Sequence, residues 1–139
     1  MGNFPYMAPR TVTAVVGDVD ASETPTRSIF VAPCDCVIKG VGLVCGSAVA
    51  LHTTNSANVA VTKGTATLAS LSTKIGEANA NAIAPDTYEP LTLASTESLL
   101  ELEAGDVLNV AFTETTASAG DLTRASMIVR WVPGQGPGQ

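Results

Sequence analysis

The residues of this chain best suited to chemistry are one histidine, three cysteines and two short groups of carboxylates. A Ser-His-Asp relay would need His52 as its base, yet no Gly-x-Ser-x-Gly elbow is present to present a nucleophile. In Leu51-His52-Thr53-Thr54-Asn55 the imidazole reads as a hydrogen-bonded surface group where a strand enters a polar turn. Cys34, Cys36 and Cys45 are odd in number, so they cannot all pair within the chain. On a strand, Cys34 and Cys36 would share one face with Cα atoms about 6.5 Å apart, at the far edge of disulfide geometry. Free thiols, buried or half-buried, are expected. Zinc is the sharper alternative, and beyond these thiols it would have only His52 to draw on. Glu101 and Glu103 on one strand face could in principle share acid and base work. Gripping a sugar there would need aromatic platforms, and the chain offers only Trp131, Tyr6, Tyr88 and three phenylalanines. Asp18, Asp20, Glu97 and Asp106 follow no EF-hand spacing and read as solvated acidic edge. Gly40-Val41-Gly42 is followed by a third glycine, Gly46, one residue too late for a dinucleotide fingerprint, and no amphipathic helix follows. These glycines are read as strand deformation. The expectation is a non-enzymatic chain with no cofactor.

The elements that would position these groups are short and β-branched. Thr11–Val16, Arg27–Ala32, Cys36–Cys45, Asn58–Lys63 and Thr65–Leu71 are strand candidates, with a tight hairpin across Lys63-Gly64. Leu91–Leu93 is brief, and Ser98–Glu103 puts Leu100 and Leu102 on one face. The clearest alternation comes late. Leu108, Val110 and Phe112 line one face, as do Ala125, Met127, Val129 and Trp131, opposed by Arg124, Ser126 and Arg130. No helical stripe exceeds about two turns. Eight or nine strands divided by Gly, Pro, Asn and Asp predict an antiparallel sandwich or barrel. The longest connection, residues 72–90, reads as a surface loop.

Composition narrows the function. Of 139 residues, 45% are apolar, 4% aromatic and 14% charged, against roughly 25% charged in ordinary soluble proteins. A 14.1 kDa chain should present about 6,700 Å² of surface, and so few charges leave wide areas of it bare. Such areas suit coverage by other chains. Disorder is excluded by a mean hydropathy of +0.27. A net charge of −6 with seven scattered basic residues argues against nucleic acid. No window is apolar enough for a membrane span, and no signal peptide opens the sequence, so a cytosolic origin is expected. Residues 1–10 hold two prolines and no alternation, and are expected to form an extended arm docking on a neighbour. Phe4, Tyr6, Met7 and Arg10 are its candidate interface anchors.

The stretch from Arg27 through Phe30-Val-Ala-Pro-Cys-Asp-Cys-Val-Ile38, then Gly42-Leu-Val and Leu102-Glu-Ala-Gly-Asp-Val-Leu108, resembles small jelly-roll proteins encoded among the virion genes of tailed bacteriophages. The resemblance covers about residues 26–132. It implies an all-β fold, an antiparallel jelly-roll β-sandwich of about eight strands with an extended N-terminal arm. Residues 1–25 would form the arm and first strand, 26–132 the sandwich, and 133–139 a flexible Pro/Gly tail. The implied role is a capsid decoration or cement protein, made in the host cytoplasm and held on the virion exterior. Its partners would be the major capsid protein and sister copies in a homotrimer, with no nucleic acid and no membrane. The alternative is a receptor- or glycan-binding module of a head fibre or tail, for which Trp131 is the one candidate platform.

Overall fold

The computed structural model describes residues 9–20, 24–114 and 121–134. Among the described residues there are ten strands: β1 (Arg10–Val19), β2 (Thr26–Val31), β3 (Cys36–Val44), β4 (Ala57–Lys63), β5 (Ala66–Ser72), β6 (Glu89–Pro90), β7 (Thr92–Leu93), β8 (Glu101–Leu102), β9 (Val107–Glu114) and β10 (Leu122–Pro133). One sheet runs β1-β10-β3-β6, with β8 also on β3, and the other runs β2-β9-β4-β5-β7. All pairings are antiparallel. Every connection between consecutive strands crosses from one sheet to the other except the β4–β5 hairpin. That interleaving is the path of a jelly roll, and the two sheets pack as a β-sandwich.

Period-two patterning drives this arrangement, because each sheet must bury one face. Leu108, Val110 and Phe112 of β9 and Ala125, Met127, Val129 and Trp131 of β10 all point into the core, as their alternation predicts. Val59 and Val61 of β4, and Ile38, Val41 and Leu43 of β3, complete its centre. Phe30 and Trp131, one from each sheet, close one end with ring centroids 5.8 Å apart and planes tilted by 52°. Gly64, with φ +61°, turns the β4–β5 hairpin.

Several local expectations are corrected. Residues 98–103 are not one strand: Glu97–Leu100 form a 3-10 turn, and only Glu101–Leu102 join the sheet, against Cys36 and Val37. Half-buried Leu100 packs that turn against the core. β1 does not stop at Gly17. It passes through a bulge there (φ +91°) and continues to Val19. Arg10 is not an arm residue but the first residue of β1. Residues 73–88 are only partly a surface loop, since Ile83 is buried and bridges Val49. Buried Glu89 fastens this connection, its carboxylate accepting from Asn81 Nδ2 (3.2 Å) and the Ala84 amide (2.9 Å). Among the described residues, no helix is long and apolar enough to cross a membrane.

Candidate interaction surfaces

The outward face of the second sheet is built from small uncharged side chains. Strand register sets Thr26, Ala111, Ala60, Ser70 and Thr92 in one row across all five strands. Beside it runs Ser28, Asn109, Thr62 and Thr67, where the Ser28 hydroxyl donates to Asn109 Oδ1 at 2.8 Å. Neither row holds an ionisable group. The flanking inward residues Val110, Phe112, Val59 and Val61 are buried, so alternation dictates that these rows face outward. Short polar and methyl-bearing side chains on a pleated sheet make a surface that buries with little desolvation penalty.

The opposite face of the sandwich is partly covered by the chain itself. Register aligns Thr13, Ile128, Gly42 and Pro90. The Tyr88 ring lies directly on Gly42, so closely that a Cβ there would stand 2.1 Å from its Cε1. The Arg130 stem lies by Gly40 at ordinary contact distance, 3.6 Å from where a Cβ would be. Sequence reasoning found deformation at these glycines, and the ladder does shift register between Arg130 and Trp131. It missed the ring, although a glycine inside a strand is itself the signal of close approach.

Charge sits at strand ends and turns. Lys63 meets Asp106 at 3.7 Å, and Arg124 meets Asp86 at 3.5 Å, both too solvent-screened to hold much of the fold. Asp18 Oδ1 accepts from the Arg124 amide at 2.8 Å. Lys39 and Arg130 are exceptions, exposed within β3 and β10.

The residues with chemical potential are dispersed. His52 is exposed, and its Nδ1 accepts from the amides of Thr54 (3.1 Å) and Asn55 (3.0 Å), capping the turn that follows. Cys34 is half-buried in the bend before β3, whereas Cys36 opens that strand and is buried, so the two do not share a strand face. Cys45 is buried, its thiol donating to the Ser47 carbonyl at 3.3 Å. All three are free thiols. Burial, reinforced by Cys34, Asp35 and Asp106, pushes the Cys36 thiol up to about 11, so it is protonated and unreactive at neutral pH. Glu101 lines a cleft of about 360 Å³ with Val37, Lys39, Leu93, Glu97 and Leu100. Glu103 lies beyond β8, exposed in a turn where its amide donates to Asp106 Oδ2. The two carboxylates therefore do not form the pair expected on one face. Among the described residues no three His, Cys, Asp or Glu side chains gather as a metal site.

Of the interface anchors expected from sequence, Phe4, Tyr6 and Met7 lie outside the described residues. Arg10 is exposed and stacks over the Trp131 ring, 5.5 Å from its centroid. Trp131 itself is only 5% exposed, which removes it as a sugar platform.

No family model matches the chain, and no curated protein matches it. Among solved structures it is similar to a chain of the cyanophage Pam1 capsid asymmetric unit, with a TM-score of 0.51 at 13% identity. The likeness spans 96% of this chain and 91% of that one. At that identity the likeness shows the fold alone.

Proposed function

We propose that this chain is a structural virion protein, a decoration or cement protein that binds the outer surface of a phage head and stabilises the shell. The observation that carries the reading is the uncharged outward face of the β2-β9-β4-β5-β7 sheet. It is a broad surface of Thr, Ser, Asn and Ala with nothing on it to keep a lone domain apart from its neighbours. Its partners in this reading are the major capsid protein and sister copies, assembled as a homotrimer. Phe4, Tyr6 and Met7 supply anchors ahead of β1, and Arg10 opens that strand. The acidic balance of −6 suits the exterior of a particle whose interior holds DNA. Similarity in fold to a chain of a phage capsid asymmetric unit agrees with this role.

Receptor or glycan binding gains no support, because its one candidate platform, Trp131, is packed against Phe30. The test is immunogold labelling of intact phage particles with an antibody to the purified chain. Label on the outside of heads is expected. Label confined to tails, or its absence from particles, overturns the reading.

A further inference from the structure

We propose that the cleft beside β8 is a binding site for a lysine side chain presented by a partner protein. The cleft holds about 360 Å³, near the lower end of the range for small-ligand pockets. It opens where the sheet is interrupted along β3. There β8 pairs with Cys36 and Val37, β6 pairs with Gly42 and Leu43, and the Leu91 amide donates to the Val41 carbonyl. Between them, among the described residues, 38–40 have no strand on that edge. Two of these, Ile38 and Lys39, line the cleft.

The lining divides by chemistry. Val37, Leu93 and Leu100 form half-buried aliphatic walls, which suit the methylene stem of a long basic residue. Glu97 and Glu101 supply negative charge for its head. Glu101 Oε2 is shut off from solvent and has no hydrogen-bond donor. A carboxylate stripped of water on one side and unpaired is short of compensation, and a cation at its other oxygen supplies it. The cleft's own cation does not. Lys39 is exposed, and its ammonium pairs with neither carboxylate; the ion pairs among the described residues are Lys63–Asp106 and Arg124–Asp86. Two carboxylates against one lysine leave the cleft negative, which favours a cation over an anion. A bare metal ion would find too few ligands, since no three His, Cys, Asp or Glu side chains gather among the described residues. The shut-off oxygen also chooses between the basic side chains. Arginine's planar fork needs both oxygens of one carboxylate, whereas an ammonium can take one oxygen from each of two. The site is a property of the free protein and does not depend on what shell it covers.

The experiment is an NMR titration of the full-length chain with two probes, n-butylammonium and a short capped peptide with one central lysine between alanines. Both should saturate, with shifts confined to the amides of residues 37–39, 93 and 97–101. Glu101→Gln keeps the shape of the side chain and should weaken both probes at least about tenfold. Glu103→Gln, an exposed carboxylate outside the cleft, should leave both unchanged. Failure of both probes to saturate overturns the proposal. So does butylammonium binding that Glu101→Gln leaves intact or that Glu103→Gln weakens equally, or binding of butyrate in place of butylammonium. Saturation by butylammonium but not by the peptide makes the ligand a free amine and overturns the docking of a protein.

Discussion

The Arg10 guanidinium stands over the Trp131 ring, 5.5 Å from its centroid, across the ladder that joins the first strand to the last. The pair fastens the start of β1 to the strand that centres its sheet. Trp131 in turn packs on Phe30 of the other sheet. Removing the cation should cost about 0.5–1 kcal/mol, because the stack is exposed. Removing the ring should cost about 3–5 kcal/mol, because it empties one end of the core. Urea denaturation of Arg10→Ala and Trp131→Ala measures both. Equal losses would contradict this division of roles.

Gly42 and Tyr88 form a second such pair. Gly42→Ala drives a methyl into the ring, which must swing off the sheet. The expected loss is about 1–2 kcal/mol, limited because Tyr88 is 39% exposed and free to move outward. In Tyr88→Ala the same methyl should cost little. A double-mutant cycle reads the coupling, and strict additivity would show that the ring is not what excludes the side chain.

The cysteines should separate by access. A thiol reagent at neutral pH should modify half-buried Cys34 first, with Cys36 and Cys45 reacting only on unfolding. Because the Cys36 thiol is raised from 9.0 to about 11 in the fold, the unfolded chain releases its proton first on going alkaline. Stability from this group is complete below pH 9 and falls between pH 9 and 11, by on the order of 2 kcal/mol. Cys36→Ala should lose that part of the alkaline slope. An unchanged slope would contradict the assignment.

Glu89 holds the long connection by two hydrogen bonds from buried ground. Glu89→Ala leaves the Ala84 amide without its acceptor and should cost about 1–3 kcal/mol. Limited proteolysis should then cut within residues 74–88 faster than in wild type. An unchanged cleavage pattern would show that Glu89 does not anchor the segment.

Legibility in the sequence followed burial. β9 and β10 could be read because one face of each is fully buried, and Leu108, Val110, Phe112 and Met127 had to alternate. The 98–103 segment was misread because two residues of strand cannot display a period, and two adjacent leucines serve a 3-10 turn as well as a strand. Glu89 gave no signal: nothing in Tyr-Glu-Pro shows that a carboxylate will be buried by amides from five and eight residues upstream. The low charge density was legible at once. That it falls along sheet faces was legible too, but which face was not, because the uncharged rows are assembled from strands whose register exists only in the fold.

The uncharged face of the second sheet is the centre of this account, and Ala111 lies on it, between Thr26 and Ala60. Ala111→Arg adds one outward charge and should move stability by no more than about 0.5 kcal/mol. Binding of the purified variant to phage heads lacking the protein, measured beside wild type, is the direct test. The expected result is at least about a tenfold loss of binding with an intact fold. Wild-type binding by a folded Ala111→Arg protein would contradict the claim that this face is covered.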